Sequence, residues 1–401
     1  MTIVETQTAA ETQTAAEAVA RVQAIVPELR ARAARTALDR RLPEENIAAL
    51  KASGALKTLQ ARRNGGLGLG VRTHLDVIST LARGCGSTAW VAGVVHAHSW
   101  LLSHFPEQAQ ADVYGQDPDA MVSAVIGPRG RAGRTATGYR LDGTWPFASG
   151  CERSDWLLLG AVVVDADGNP VDEGDFVVPT SAVTVKDDWY VSGLTGTGSC
   201  TVVVDSLEIL EHRYLSLPGL IMGNSPGAGL HGDDWVPRCA PVPVLSIALC
   251  GGAIGLAKQA LEDFPALIKG KSIAYTADSQ EQNHGTQIRL ADAAMRIYEG
   301  ELLLYAMADA IDAAGRAGTE IAFLDRARMR VECATGVRRL LEGVDILFKE
   351  SGASGVRTSS PLCRALADLQ AINNHGLMKL ETNQELYGRL LLGLAPNTPL
   401  I

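Results

Sequence analysis

Residues 144–156 read Thr-Trp-Pro-Phe-Ala-Ser-Gly-Cys-Glu-Arg-Ser-Asp-Trp, run on into the apolar segment Leu157 to Val164, and lie between two long stretches of helical pattern. Aromatic and β-branched residues broken by a glycine turn predict a strand pair, around which the flanking helices must pack. Strand alternation would put Trp145 and Phe147 on one face, with Ser149 next along it. Such a face is a flat apolar wall ending in a hydroxyl. It suits a planar ring system with a hydrogen-bonding edge, of which a flavin is the obvious candidate. An ordinary β core is the alternative, because buried aromatics mostly serve packing.

The flanks set the domain order. Residues 5–16 repeat Glu-Thr-Gln-Thr-Ala-Ala twice, so residues 1–16 are expected as a disordered tail. Val19, Val22, Ile25 and Leu29 share a helical face, and Pro43 opens a second helix that Gly54 closes, within an N-terminal helical domain of residues 17–118. Residues 119–214 change to short apolar segments punctuated by Gly, Pro and Asp, the texture of an antiparallel β unit. Residues 215–240, rich in Gly and Pro, read as a linker or lid. Residues 241–401 are Ala- and Leu-rich with helical periodicity, broken near 269–284, 315–318 and 352–361, which predicts a four-helix bundle. The fold class is therefore α+β and mainly α, with a central β-barrel or sandwich between helical domains.

Several function classes drop out. A net charge of -9 with no Lys/Arg cluster argues against nucleic acid or an anionic membrane as partner. No apolar stretch is expected to span a bilayer, and no secretory start is visible. The seven cysteines (85, 151, 200, 239, 250, 333, 363) contain no Cys-x-x-Cys, so neither a disulfide framework nor a zinc site is indicated and a reducing cytoplasm is expected. Gly65-Gly66-Leu67-Gly68-Leu69-Gly70 lacks the preceding strand of a dinucleotide loop. Trp90 and His98, eight apart in a helical stretch, could line a pocket together, or His98 could be a satisfied core histidine. His96 and His98 point apart on a helix and make poor metal ligands.

The order helices, β unit, bundle resembles the acyl-CoA dehydrogenase fold. Phe147-Ala148-Ser149 matches that superfamily's aromatic-x-Ser/Thr strand, whose hydroxyl meets flavin N5. Leu194-Thr195-Gly196-Thr197-Gly198-Ser199, the Leu347 to Ala353 segment, and Arg364 with Asp368 extend the match. Where the dehydrogenases place their catalytic glutamate, eight residues after Asp368, this chain has Gly376, beside His375. That departure, with Cys85 to Val91 and His98-Ser99-Trp100, is similar to the two-component flavin-dependent monooxygenase branch, such as the p-hydroxyphenylacetate 3-hydroxylases and indole or phenol hydroxylases.

The resemblance implies a C4a-hydroperoxyflavin that hydroxylates an electron-rich ring, with Ser149 at N5 and His375 as catalytic base. It implies flavin contacts from Trp145, Phe147, Ser123, Thr197, Lys271, Ser351 and Gly352, and substrate contacts from Trp90, His98, Ala124 and His375. Reduced FAD is favoured over reduced FMN, with molecular oxygen as co-substrate. A separate NAD(P)H-dependent flavin reductase and a homotetramer are the implied partners. Phenol hydroxylases of this type carry Ser-Ser-Ser where this chain has Ser123-Ala124-Val125, a lost hydroxyl that favours an indole-type ring over a phenol. An amine or amino-sugar N-oxygenase, a dehydrogenase with a relocated base, and a flavin-free helical binding scaffold are the rival readings.

Overall fold

The computed structural model describes the chain from residue 9 and its side chains from residue 14. The first helix, α1 (Ala9–Asp39), already holds residues 9–16, so the expected tail is corrected over that stretch, and residues 1–8 lie outside the described residues. Ala, Glu and Gln are strong helix formers, which is why residues 9–16 join the helix. Pro43 precedes α2 (Glu44–Ser53), and Gly54, left-handed at φ 72°, closes it with N–H bonds to the last carbonyls. Then come α3 (Val71–Ala82), α4 (Gly86–Leu102) and α5 (Glu107–Tyr114). Every residue of α4 is buried, so each polar side chain on it must find an internal partner.

One seven-stranded sheet follows: β1 (Val122–Arg134), β2 (Gly138–Ala148), β3 (Trp156–Val164), β4 (Pro170–Pro179), β5 (Thr184–Lys186), β6 (Cys200–Leu210) and β7 (Tyr214–Ser216). Its order is β5-β6-β2-β1-β3-β4-β7. All pairings are antiparallel but one: β1 runs parallel to β3, a refinement of the antiparallel unit expected. Tyr139, Leu141, Trp145, Leu157, Phe176 and Val202 build a core on one face, while Val122, Ala124, Leu158 and Val177 join the helical core on the other.

The chain returns to helix with α6 (Leu217–Ile221), α7 (Pro241–Ile247), α8 (Gly251–Ile268), α9 (His284–Ala317), α10 (Phe323–Glu350), α11 (Pro361–Asn373) and α12 (Leu380–Leu391). The run Pro241–Ile268 is long and apolar enough to cross a membrane, contrary to the sequence expectation; 83% of its most apolar window is buried inside the fold, where α7 and α8 serve as core helices. Gly65–Gly70 leads from a 3-10 turn into α3, with Gly70 at φ 90° just before the helix.

Candidate active site

A β-bulge decides what the central strand presents. Trp145 pairs with Val202 and Ala148 with Cys200, so β2 spends three steps where β6 spends two. The extra residue breaks the alternation. Trp145 turns into the β core, fully buried, with its indole N–H donated to Gly160 O at 2.7 Å. Phe147 sits at φ 67° with its ring 66% exposed, edge-on to Trp189 at 6.0 Å. The expected wall of Trp145 and Phe147 is thus corrected: the two side chains part, the Trp145 indole into the core and the Phe147 ring toward solvent. A Cβ on Gly143 would meet its ring at 2.6 Å, and one on Gly130 would also collide with it, so these glycines make room for the indole.

Ser149, buried just past the bulge, is the hub. Trp90 on α4 donates its indole N–H to Ser149 Oγ at 3.0 Å. Ser149 Oγ contacts Ser199 Oγ at 2.7 Å, and Ser199 Oγ contacts Thr197 Oγ1 at 2.7 Å. Thr197 Oγ1 donates to Leu194 O at 2.8 Å. Ser123 Oγ donates to the Ser149 carbonyl at 2.7 Å, so it braces Ser149 from behind. Asp368 accepts the Leu194 N–H at 2.6 Å, and Ser87 Oγ accepts the Gly196 N–H at 3.1 Å. These two bonds hold the Thr195–Ser199 turn against α4 and α11, and burial raises Asp368 to about 6. Ser199 was not singled out from the sequence; its position two residues beyond Thr197 in the Thr-Gly-Thr-Gly-Ser run was the available signal.

His375 stands beside Trp90, and His98 lies two turns along the same helix as Trp90. The His375 ring lies 5.8 Å from that of Trp90, inclined at 60°. Its Nδ1 accepts the Leu377 N–H at 3.3 Å, capping the turn Gly376–Met378. His98 Nδ1 faces Val122 O at 3.1 Å, and since a carbonyl only accepts, this nitrogen carries the hydrogen. Burial pushes both imidazoles down to about 4, so both are neutral at pH 7. The tautomers are therefore opposite: Nε2 of His375 bears a proton, whereas Nε2 of His98 bears a lone pair. The resemblance implies His375 as the base; with its Nδ1 taken up as an acceptor its Nε2 carries the hydrogen, and the free lone pair lies on Nε2 of His98. Ala124 lies on the sheet face turned to the helical core that contains Trp90.

Lys271, Ser351 and Gly352 gather at the end of α10. Lys271 Nζ bonds Ser354 Oγ at 2.8 Å and Ser351 O at 3.5 Å, and Gly352, left-handed at φ 68°, has open space where a Cβ would stand. An ammonium beside an open glycine turn suits a phosphate. An acceptor hydroxyl at Ser149 with an exposed aromatic edge at Phe147 and Trp189 suits a planar ring bearing an N–H. The residues present therefore fit a flavin. A groove of about 900 Å³ opens between α1, α8 and α11; Ser87, Thr195 and Asp368 line it, and Trp90, His98, Ser149 and His375 do not.

Comparison with known proteins gives the family of the chain. Residues 9–116 match the N-terminal domain of acyl-CoA dehydrogenases and residues 247–380 the C-terminal domain. The chain is 33% identical over 387 residues to the oxygenase component of the FADH(2)-dependent resorcinol hydroxylase of a Rhizobium species, covering 94% of each. It superposes on the HsaA monooxygenase of M. tuberculosis with a TM-score of 0.91 at 31% identity, covering 96% of this chain and 100% of that one. XiaF from a Streptomyces species, solved with FADH2 and glycerol, matches with a TM-score of 0.90 at 29% identity over 97% and 98% of the chains. The chain belongs to the oxygenase components of two-component flavin-dependent monooxygenases, built on the acyl-CoA dehydrogenase fold.

Proposed function

We propose that the protein hydroxylates an electron-rich aromatic or heteroaromatic ring, using reduced flavin delivered by a separate NAD(P)H-dependent reductase and molecular oxygen. The observation that carries this is the grouping of Trp90, Ser149 and His375, joined by one hydrogen bond and one ring contact, where a dehydrogenase would need a carboxylate and this chain has Gly376. Bound reduced flavin supplies, with oxygen, the oxygen atom to be transferred. Ser149 accepts a ring N–H at its remaining lone pair. The Trp90 indole, almost fully buried, shields the seat from water. His98 takes the proton of a ring hydroxyl at Nε2, and His375 donates from Nε2 to the substrate's oxygen or ring.

Ala124 offers a methyl and no hydroxyl, which favours an indole-type ring. A phenol is the second reading: the Nε2–H of His375 is the donor a phenolic oxygen needs, and the resorcinol hydroxylase is a relative. Reduced FAD is the preferred flavin, supported by the Lys271 and Gly352 turn and by the FADH2 in XiaF. A homotetramer is supported by α9, which exposes Ile288, Met295, Tyr298 and Leu302 along its length. A cytoplasmic setting is supported by seven free cysteines, six of them buried.

The test mixes the protein and anaerobically reduced FAD with oxygen and either indole or resorcinol. Hydroxylated ring product is expected, more from indole. Oxygen consumption without ring product from any electron-rich arene would refute the reading.

A further inference from the structure

The hydroxyls around Ser149 form a chain whose protons can be counted. Three oxygen–oxygen contacts link Ser149 Oγ to Ser199 Oγ, Ser199 Oγ to Thr197 Oγ1, and Thr197 Oγ1 to Leu194 O, at 2.7, 2.7 and 2.8 Å. Each contact at such a distance needs one proton between its oxygens. The three hydroxyls own three protons and the terminal carbonyl owns none. All protons therefore point one way, from Ser149 through Ser199 and Thr197 to Leu194 O. At its other end Ser149 Oγ already accepts the Trp90 indole N–H at 3.0 Å. Ser149 is left with one lone pair and no proton to give.

From this we infer that Ser199 and Thr197 are positioning residues that fix Ser149 as a hydrogen-bond acceptor, and that this polarity makes the site select reduced over oxidised flavin. The inference rests on the reading above that Ser149 faces flavin N5. Reduced flavin carries a hydrogen at N5 and donates it, whereas oxidised flavin has only a lone pair there. An acceptor held rigidly by a buried chain binds the first and repels the second. A serine with a free hydroxyl would rotate and serve both. The chain thus converts a residue that is chemically indifferent to the flavin's redox state into one that discriminates. The useful consequence is release: once the flavin is oxidised its N5–H is gone, and Ser149 no longer holds it.

The experiment measures dissociation constants for FAD and for anaerobically reduced FAD, by quenching of tryptophan fluorescence, in the wild type and in Ser199→Ala, Ser149→Ala, the double variant and Ser199→Thr. The wild type is expected to prefer reduced FAD. In Ser199→Ala the Ser149 proton is freed, and the preference should shrink by about tenfold, mainly through tighter binding of oxidised FAD, the size expected for one hydrogen bond gained where there was repulsion. Ser199→Thr should restore it, and Ser199→Ala should have no further effect once Ser149 is alanine. A wild-type preference that Ser199→Ala leaves unchanged, or alters equally in the Ser149→Ala background, overturns the inference while the flavin reading stands. Failure of the wild type to bind reduced FAD at all overturns that reading first. Circular dichroism and melting curves of each variant separate loss of fold from loss of polarity.

Discussion

Trp90 touches both halves of the site: its N–H bonds Ser149 Oγ at 3.0 Å, and its ring stands 5.8 Å from that of His375. One side chain therefore couples the turn after β2 that carries the serine to the turn that carries the histidine. Trp90→Phe keeps a ring but removes the donor. It should cost about 1 kcal/mol of stability in urea unfolding, the net worth of one buried hydrogen bond. Ring product per oxygen consumed should fall, because the phenyl ring fills less of the seat; unchanged coupling would show that Trp90 only packs.

His375→Ala removes the Nε2–H donor and the cap on residues 376–378. Product formation should drop by roughly 100-fold, typical for a lost proton-handling group, while oxygen is still consumed. His98→Ala should give a comparable loss. Because both imidazoles are neutral well below pH 6.5, the hydroxylation rate should show no inflection near that pH. An inflection there that disappears in His375→Ala would overturn the neutral assignment.

Stability should fall as acid is added. Burial lowers His96, His98 and His375 to about 4 and His104 to about 3. In the unfolded chain each protonates near the ordinary imidazole value of 6.5, so below that pH the unfolded state binds protons that the folded state refuses. The contribution is whole above pH 6.5, declines as pH falls through that value, and the loss levels off below the folded values. Asp312 and Asp368, raised by burial to about 7 and about 6, hold protons in the folded state that the unfolded carboxyls have lost, and so offset part of this, leaving a partial net fall in melting temperature between about 6.5 and 4. Histidine ring resonances of the folded protein that titrate near pH 6.5 would contradict the burial of these rings.

Trp145 should behave as a core residue. Trp145→Ala is expected to cost about 3–5 kcal/mol, as large-to-small changes in a packed core do. Gly143→Ala, whose new methyl meets the same ring, should cost about 1–3 kcal/mol. Trp145→Phe, stable enough to assay, should bind reduced FAD as the wild type does. A selective loss of flavin affinity would return Trp145 to the flavin site.

Charges on the exposed stripe of α9 test the assembly. Met295→Glu combined with Leu302→Glu should reduce the particle mass in light scattering from four chains to two or one, with the helical circular dichroism retained. A wild-type mass of a single chain would remove the tetramer altogether.

The sequence determined the order of the molecule. Periodicity near 3.6 on both flanks, Pro43 and Gly54 bracketing α2, and alternating apolar segments between residues 119 and 214 each follow from local chemistry, so the order of helices, sheet and helices was legible. It also determined the chemistry at two positions, because Gly376 has no side chain to accept a proton and His375 has one. Tertiary structure decided the rest. Strand alternation fails at one bulge, which only the pairing of β2 with β6 reveals, and that bulge sends Trp145 into the core and Phe147 outward. The roles of His98 and Ser149 depend on partners distant in sequence, Val122 O for the histidine and a hydroxyl chain with an indole for the serine, whereas His375 takes a local partner, the Leu377 N–H, and meets the site through the distant Trp90 ring. A side chain's type states whether it is able to donate or accept; which of the two it does is set by the neighbour that takes its proton, and folding alone supplies that neighbour.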